Sequence, residues 1–512
     1  MFVAFQTPMR LVLLTALVLA AMPASRAQPA SARALIDAAA QAGAIADPTA
    51  RTAAVSALWT SLRPGQSTSR VPYVAGDTAV FVWRGTATTA AIAGDHTGWN
   101  PNAALARQGQ SDLWLRMDRF DAAARIDYKI VVNGSDWRLD TANPHQQTGG
   151  AGPNSELRMS AWRQEPLTVR VPGVPQGALG AAQTLTGTGL PAAVVYRVWT
   201  PAGYAASADR LPAVYVTDGH EYADDALGAM RIVLDNAIAQ GLIEPCVVVF
   251  IDPRDGGTSA GTNRRQQLYV NNAAYATFVA DRLVPAIDAA YRTRPDRESR
   301  VIVGTSLGGL FSTYLGAAHP GTFGRLAIHS PAFWISETAA WGSGPTIYTL
   351  MQQTAPGAFR IAMTTGTIRD TQTEAQRMRS IMEARGHALT YREVPEGHSW
   401  GNWRAHIDDV LIPLIPGRST PAEPNTETGA FRVAPVVNPS SDPALRVTLP
   451  EPATVAVRCT DAVGRTVVAL VDTLGAGERV LPLGVPDLAA GVYVCRVTAG
   501  RATESTTLTV VR

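Results

Sequence analysis

The residues from Ser299 to Leu310 surround a serine with the sequence features that nucleophilic catalysis needs. The β-branched apolar run Val301-Ile302-Val303 stops at Gly304, and a helix-like segment begins at Leu310. This order predicts a strand, a turn and a helix, with Ser306 at the turn. In a Gly-x-Ser-x-Gly turn, the flanking glycines let the backbone reverse tightly, so the serine hydroxyl stands exposed at the strand's end. Ser306 is therefore the predicted nucleophile.

A second Gly-x-Ser-x-Gly pentad occurs at residues 257–261, with Ser259 at its centre. It lies in a loop rich in glycine and aspartate, and it is followed by Asn263-Arg264-Arg265 instead of a helix. This context predicts that Ser259 has no catalytic role.

A serine hydroxyl is a poor nucleophile at neutral pH, so it needs a base, and the base needs a third group that orients it. Asp370 follows the predicted strand Arg360 to Thr364, and His398 follows the predicted strand Leu389 to Val394. Both therefore belong to loops at the carboxyl ends of parallel strands, where α/β sheets bind ligands. We predict that His398 is the general base and that Asp370 orients its imidazole.

The other acidic and histidine residues that could fill these two roles are predicted to be structural. Glu374 also follows the strand, but it opens the next predicted helix, where a carboxylate interacts favourably with the helix dipole. His387 precedes a strand, and His406 lies within the last predicted helix.

Acyl transfer also requires preorganised N–H donors for the developing oxyanion. One is expected from Leu307, the residue after the nucleophile. The second is expected from the loop Val216 to His220, where Gly219 permits close backbone approach, so the N–H of Gly219 or His220 is the candidate.

The composition of this 512-residue chain predicts several domains and excludes some classes of function. A net charge of +2 argues against bulk attraction to nucleic acid or anionic membranes. Three cysteines cannot form a disulfide scaffold or a structural zinc site, and Cys246 is expected to be a small core residue.

The first 27 residues have the pattern of a secretory signal peptide. Arg10 precedes the apolar run Leu11 to Ala21, and Ser25-Arg26-Ala27 places small residues at a cleavage position. No later segment approaches the roughly 18 apolar residues of a membrane helix. We therefore expect a secreted protein with no membrane span.

The rest of the chain changes pattern several times. We predict a helical segment at 28–66, a β-sandwich at 67–165, an α/β domain at 166–416, a Pro-containing linker at 417–429 and a second β-sandwich at 430–512. In the α/β domain, strands are predicted at 193–200, 213–216, 246–251, 300–303, 326–329, 360–364 and 389–394. Helices are predicted there at 227–239, 273–291, 310–318, 373–385 and 403–414.

The 67–165 segment resembles the family 48 carbohydrate-binding modules and related early-set sandwiches, through residues 94–100 (Gly-Asp-His-Thr-Gly-Trp-Asn) and 128–140. In glycan-binding members, exposed tryptophans stack on sugar faces, so the resemblance implies Trp99 and Trp137 as glycan contacts. The alternative is that both are core or turn aromatics.

The α/β domain resembles the Putative esterase family, which includes esterase D and enterochelin esterase-like proteins. The resemblance rests on six separate motifs, at residues 215–219, 250–253, 263–272, 304–309, 330–334 and 397–400. It implies an α/β-hydrolase fold with a mainly parallel sheet covered by helices. It also implies a serine hydrolase that needs no metal or organic cofactor, with relatives that act on siderophores or remove feruloyl or acetyl groups from xylan.

Within these motifs, Arg264, Arg265, Trp334 and Trp400 are the implied substrate contacts. Gln266-Gln267 stands where many relatives have an acidic residue, which separates this chain from the family pattern. The two arginines have an alternative role, because either can hold its own loop in an ion pair.

The last segment resembles the C-terminal sorting domain of the type IX secretion system, through Asn438-Pro439, residues 461–465, Gly491-Val492-Tyr493 and a terminal strand from Thr506 to Val511. The resemblance implies the secretion machinery as a partner, although the lysine usual in the final strand is absent. The alternative is a generic accessory sandwich. Cys459 and Cys495 end strands of this exported module, so they are predicted either to form a disulfide or to remain two buried thiols.

Together these features predict a secreted serine ester hydrolase flanked by two β-sandwiches, acting on an esterified plant polysaccharide of the feruloyl or acetyl xylan type. A siderophore trilactone is the alternative substrate, and acyl transfer is the alternative reaction. From another class of function, a glycan-binding surface protein with an inactive hydrolase domain is the alternative. No nucleic-acid partner is expected, and the oligomeric state is left open.

Overall fold

A computed structural model describes residues 29–417, 431–436, 443–460, 466–483, 488, 491–499 and 502–510. The chain divides into two compact units, residues 1–418 and 419–512, and each is described by itself. The predicted signal segment and almost all of the predicted linker lie outside the described residues, as do the sorting-domain motifs at 438–439 and 461–465.

The first unit begins with two helices, as predicted: α1 (Ala32–Ala44) and α2 (Pro48–Leu62). Ser31 and Asp47 cap them, because each side chain accepts a hydrogen bond from a backbone N–H of the first turn. Leu35 and Val55 lie in one apolar cluster with Val80 of the following sheet. The helices therefore pack on the outer face of the sandwich.

Ten antiparallel strands form the sandwich: β1 (Tyr73–Ala75), β2 (Thr78–Arg84), β3 (Ala90–Gly94), β4 (Ala103–Ala104), β5 (Ala106–Arg107), β6 (Leu113–Arg119), β7 (Arg125–Val132), β8 (Asp136–Arg138), β9 (Gln146–Gly149) and β10 (Gly152–Arg158). One sheet has the order β1-β2-β6-β5, and the other has the order β4-β3-β7-β10-β9 with β8 beside β7. Side chains of a strand alternate between faces. In β7, Ile126, Tyr128 and Ile130 enter the sandwich core, whereas Arg125 and Asp127 lie on the opposite face.

The sheet of the α/β domain, called the hydrolase domain below after the predicted activity, has nine strands: β11 (Ala178–Leu179), β12 (Gln183–Leu185), β13 (Val194–Thr200), β14 (Ala213–Val216), β15 (Val247–Asp252), β16 (Arg300–Thr305), β17 (Arg325–His329), β18 (Arg360–Gly366) and β19 (Ala388–Val394). The order is β11-β13-β15-β14-β16-β17-β18-β19, with β12 beside β13. The strands from β14 to β19 run parallel, and β13 is antiparallel to β15. Both faces of β14, β15 and β16 are buried, which explains their continuous runs of valine and isoleucine.

Ten helices accompany this sheet in the described residues: α3 (Gly219–Tyr222), α4 (Met230–Ala239), α5 (Arg265–Tyr269), α6 (Ala273–Phe278), α7 (Val284–Ala290), α8 (Leu307–Ala318), α9 (Ile347–Gln353), α10 (Gln372–Ala384), α11 (Trp400–Ala405) and α12 (Ile407–Leu411). One apolar cluster joins the sheet to residues from α5 to α10, and a second joins it to α4, α11 and α12. The helices therefore cover both faces, and the predicted fold class is confirmed.

All seven predicted strands are present, with ends within two residues of the predicted ones. The helix predicted at 273–291 is instead α6, a π-helical turn (Val279–Leu283) and α7. Pro285 explains part of this interruption, because it has no N–H to donate to the preceding turn. The last predicted helix begins earlier, at Trp400, and divides at His406 into α11 and α12. In the described part of the chain, no helix is long and apolar enough to cross a bilayer.

The second unit contains β20 (Arg432–Pro435), β21 (Ala444–Leu449), β22 (Ala453–Thr460), β23 (Thr466–Leu474), β24 (Gly477–Pro482), β25 (Gly491–Ala499) and β26 (Ala502–Val510). They form a sheet of order β20-β21-β24 and a sheet of order β23-β22-β25-β26, with one apolar cluster between them. Cys459 and Cys495 lie opposite each other on β22 and β25 and are joined by a disulfide bond, which is the first of the two predicted alternatives. Cys246, just before β15, is a free buried thiol.

Candidate active site

Ser306 occupies the single residue between the end of β16 and the start of α8. Its backbone has φ 56° and ψ −117°, a conformation that costs a non-glycine residue about 1–3 kcal/mol. The Ser306 N–H donates to the carbonyl of His329 at 2.9 Å, and the Ser306 carbonyl accepts from the N–H of Ala332 at 3.0 Å. The last residue of β17 and the loop that follows it therefore hold the strained turn in place.

The two glycines of the pentad are needed for close packing. A Cβ atom on Gly304 would lie 2.2 Å from the Gly308 carbonyl carbon, and one on Gly308 would lie 2.3 Å from Thr217 Oγ1. Neither glycine has a positive φ; within the pentad that conformation belongs to Ser306 itself. The glycines thus allow strand and helix to meet around the turn.

Ser306, His398 and Asp370 are joined in sequence by two hydrogen bonds. His398 Nε2 lies 2.9 Å from Ser306 Oγ, and His398 Nδ1 lies 2.6 Å from Asp370 Oδ1. Asp370, not Glu374, contacts the imidazole. With this arrangement a histidine can remove the proton of a serine hydroxyl while the carboxylate stabilises the resulting imidazolium.

The Asp370 carboxylate is fully buried and accepts three further hydrogen bonds. Ser330 Oγ donates at 2.5 Å, the Gly366 N–H at 2.6 Å and the Thr371 N–H at 2.7 Å. Burial by itself raises the pKa of Asp370, but the hydrogen bonds from His398, Ser330 and Gly366 overcome that effect and hold the pKa below its ordinary value. The carboxylate therefore stays ionised beside the imidazole.

Two cavities meet at Ser306, and Arg265, Ser306 and His398 line both of them. The interdomain cavity, of about 410 Å³, has one wall from the sandwich (Trp99, Asp127, Gly149–Ala151 and Asn154) and one from the hydrolase (Glu221, Trp400 and Trp403). The hydrolase cavity, of about 770 Å³, is lined by Leu307, Trp334, Ile335, Arg369 and Glu374, among others. A bound ester can therefore extend from Ser306 in two directions.

Comparison with known proteins shows what the segment that carries Ser306, Asp370 and His398 is similar to. Residues 190–414 match the Putative esterase family. An iron(III) enterobactin esterase of Dickeya dadantii is 26% identical over 245 residues, which are 43% of this chain and 52% of that protein. An endo-1,4-beta-xylanase/feruloyl esterase of Xylanibacter ruminicola is 25% identical over 147 residues, 27% of this chain and 20% of that protein. The chain thus spans about half the length of the first of these relatives.

The crystal structure of ferric enterobactin esterase from Salmonella typhimurium has a similar fold. It superimposes with a TM-score of 0.55 at 19% identity, over 66% of this chain and 93% of that chain. Because residues 190–414 are less than half of the 512 residues, the similarity of fold extends beyond the esterase segment.

The two arginines of the esterase segment differ in position. Arg265 Nε donates to both carboxylate oxygens of the buried Asp218 at 2.9 Å, and its Nη2 donates to the Thr305 carbonyl at 3.0 Å. Arg264 pairs with Asp255 at 2.7 Å and lines neither cavity at Ser306. Both arginines hold ion pairs, and only Arg265 also faces the site.

The four predicted tryptophan contacts lie in three different places. Trp334 is half-exposed in the hydrolase cavity, and Trp400 is buried in the interdomain cavity. Trp99 also lines the interdomain cavity, and its indole N–H donates to Asp95 at 3.2 Å. Trp137 is 43% exposed on β8 and lines neither cavity. Trp99 therefore lines the same cavity as Ser306, whereas Trp137 is exposed outside it, and a glycan-binding role of either tryptophan stays a prediction.

The predicted oxyanion donors are also separated. Leu307 lines the hydrolase cavity, whereas Gly219 and His220 line a neighbouring cavity of about 550 Å³ that does not include Ser306. The Asp218 N–H is already bonded to the Tyr269 hydroxyl. The second oxyanion donor thus stays a prediction. Ser259 is exposed in the loop after β15.

Glu221 and Ser330 are among the residues of the site that were not predicted from the sequence. Glu221 is partly buried in the interdomain cavity, where burial and then the charge of Asp218 raise its pKa to about 7. Ser330 donates a hydrogen bond to Asp370, and its place directly after β17 is the sequence signal for it. Among the described residues, no group of three or more His, Cys, Asp or Glu side chains is arranged to hold a metal ion.

Proposed function

We propose that this protein hydrolyses carboxylic esters through an acyl-enzyme formed on Ser306. The observation that carries the proposal is the position of His398, whose two ring nitrogens lie within hydrogen-bond reach of Ser306 Oγ and Asp370 Oδ1. The match of residues 190–414 to the Putative esterase family supports the same reaction.

In the first half of the reaction, Ser306 Oγ attacks the ester carbonyl carbon while His398 Nε2 takes its proton. The tetrahedral intermediate then collapses, the bond to the alcohol oxygen breaks, and His398 returns the proton to the leaving alcohol. In the second half, His398 removes a proton from water, which attacks the acyl-enzyme. The acid leaves, and Ser306 recovers its proton. Asp370 stays ionised throughout and stabilises the imidazolium.

We propose that the substrate carries hydroxylated aromatic or sugar groups. The interdomain cavity supports this, because it combines the rings of Trp99, Trp400 and Trp403 with the polar groups of Glu221 and Asn154. A feruloyl or acetyl ester of a plant polysaccharide has this chemistry, as the similarity to a xylanase/feruloyl esterase suggests. A siderophore trilactone is the second candidate, favoured by the similarity to an enterobactin esterase.

The reaction and the substrate are tested separately. Labelling with a fluorophosphonate probe requires an activated serine, so wild-type protein is expected to be labelled and Ser306→Ala is not. Ser259→Ala is the matched control, since it alters the second pentad and is expected to keep full labelling and activity. A wild-type protein that is never labelled would instead support a glycan-binding protein with an inactive hydrolase domain.

Hydrolysis of p-nitrophenyl acetate, methyl ferulate, acetylated xylan and enterobactin then ranks the substrate classes. The expected result is a kcat/KM for methyl ferulate or acetylated xylan well above that for enterobactin. A strong preference for enterobactin would mean that the substrate is a siderophore and not a polysaccharide ester.

We also propose that the second unit directs export to the cell surface or medium. Its support is that residues 419–512 form a compact unit of their own, after a segment predicted to be a linker. Deleting residues 429–512 is expected to leave an active esterase inside the producing cell's envelope. Loss of thermal stability together with activity would make the segment an integral structural domain.

A further inference from the structure

The loop that carries His398 is held by the sandwich through a buried arginine. Arg125, on β7, has a side chain that is 1% exposed. Within the sandwich, its Nε donates to Glu156 at 2.6 Å and its Nη2 donates to Asp127 at 2.5 Å. Its third nitrogen, Nη1, crosses to the hydrolase and donates to Ser399 Oγ at 3.1 Å.

Further contacts join the same two elements. The backbone N–H of Arg125 donates to the Pro395 carbonyl at 3.2 Å, and Nη1 lies 3.9 Å from the buried carboxylate of Glu396. A Cβ atom on Gly401 would lie 1.8 Å from Arg125 Cζ, so the guanidinium rests directly against the first turn of α11. Arg125 therefore touches the chain on both sides of His398.

The Ser399 hydroxyl does not cap the helix that it precedes. Ser399 is the N-cap residue of α11, where a serine hydroxyl normally accepts from the helix's first turn, but here it makes no capping hydrogen bond. Its partner is Arg125 Nη1 instead. The residue next to His398 is thus fixed by a side chain from a different domain.

The two carboxylates that Arg125 meets in the sandwich have partners of their own. Arg158 Nη2 donates to Glu156 at 2.7 Å, and Asn154 Nδ2 donates to Asp127 at 3.1 Å. In contrast, the Ser399 hydroxyl accepts its hydrogen bond from Arg125 alone among the described residues. A lysine at this position would keep the positive charge, but a single ammonium lacks the planar fork that spans three partners.

We propose that Arg125 is a positioning residue for His398: it acts through Ser399 to hold the imidazole where it can accept the Ser306 proton. The inference rests on the proposed ester hydrolysis. Because proton transfer depends on the distance between His398 Nε2 and Ser306 Oγ, a displacement of about 1 Å lowers the rate by up to about 10²-fold.

The test uses the full-length protein and measures kcat and KM for p-nitrophenyl acetate. Arg125→Lys is expected to lower kcat by about 10- to 100-fold with KM changed less than about threefold. Arg158→Lys is the matched control: it alters an arginine that pairs with the same Glu156 but donates no hydrogen bond to Ser399. It is expected to keep the wild-type kcat.

Ser399 supplies a second set of variants. Each changes a small side chain, so the set still tests the proposal if Arg125→Lys does not fold. Ser399→Ala is expected to lower kcat, and Ser399→Thr, which retains a hydroxyl, is expected to recover it. In the double variant, Arg125→Lys and Ser399→Ala should cost no more together than Arg125→Lys alone, because both break one interaction.

Several results would overturn the proposal. A wild-type kcat in folded Arg125→Lys or in Ser399→Ala would do so, as would equal losses in Arg125→Lys and Arg158→Lys. Losses of kcat that add in the double variant would mean that Arg125 does not act through Ser399. If the wild-type protein itself neither hydrolyses the ester nor reacts with a fluorophosphonate, the proposed function fails first, and this outcome is visible before any variant is compared.

Discussion

Replacing Glu221 with glutamine is expected to make the first unit more stable at alkaline pH. Glu221 has a pKa of about 7 in the folded protein, against an ordinary value of 4.5, because burial and the nearby Asp218 disfavour its charged form. The difference between these two pKa values, about 2.5, corresponds to a change of about 3 kcal/mol in the free energy of unfolding. Between about pH 4.5 and pH 7 the folded protein binds this proton more tightly than the unfolded chain, so wild-type stability falls as the pH rises through that window.

Glutamine has a similar shape and does not titrate, so Glu221→Gln should lack this loss. Measured from pH 4.5 to about pH 8, the free energy of unfolding of the variant should gain about 3 kcal/mol relative to that of the wild type. Below pH 4.5 both side chains are neutral in both states, and the difference should be constant.

Urea unfolding followed by tryptophan fluorescence measures this difference directly. All eleven tryptophans precede residue 418, so the signal reports on the first unit and not on the C-terminal one. Glu383→Gln, at an exposed position on α10, is the control and should change stability by less than about 0.5 kcal/mol. A stability difference for Glu221→Gln that is the same at pH 5 and pH 8 would refute the argument, since it would mean that burial does not raise this pKa.

Three further predictions concern the site and the second unit. Asp370→Asn should keep the fold but lower kcat by up to about 10⁴-fold by disturbing the imidazole tautomer, whereas Glu374→Gln should cost at most about 1 kcal/mol and little activity; steady-state kinetics that show the reverse would exchange the two roles. Trp99→Ala should raise KM for methyl ferulate more than for p-nitrophenyl acetate, and an equal effect on both would mean that Trp99 does not contact the larger substrate. Replacing Cys459 and Cys495 with serine should destabilise the second unit by about 4 kcal/mol, because the bond closes a loop of 36 residues; calorimetry that shows an unchanged transition would contradict it.

The parallel strands and the residues at their ends could be predicted because their causes are local. Strands buried on both faces require continuous apolar runs, and α/β sheets bind ligands at the carboxyl ends of such strands. This rule predicts that Ser306, Asp370 and His398 lie at one edge of the sheet, where the structure joins them by two hydrogen bonds. The short helices α3, α5 and α9 were not predicted, since four to seven residues are too few to show a helical period.

What the sequence did not reveal depends on contacts between distant segments. Nothing in the pattern of β7 distinguishes Arg125 from an exposed charged residue, and its partner Ser399 lies 274 positions further along the chain. The resemblance of the 67–165 segment to a binding module implies Trp99 as a glycan contact, which stays a prediction. Its place in the cavity beside Ser306 depends on how the two domains pack, which the sequence of that segment does not show. The pKa of Glu221 likewise arises from burial between the domains.

The two cavities that meet at Ser306 have a consequence for the fate of the acyl-enzyme. If the acid part of a substrate fills one cavity and its alcohol the other, departure of the alcohol empties the second cavity while the acyl group of the proposed acyl-enzyme remains bound. Water then shares the vacated space with any free alcohol of similar shape. The ratio of hydrolysis to transesterification should therefore depend on how well an acceptor alcohol fits that cavity. When such an alcohol is abundant, Ser306 is expected to transfer the acyl group to it and form a new ester.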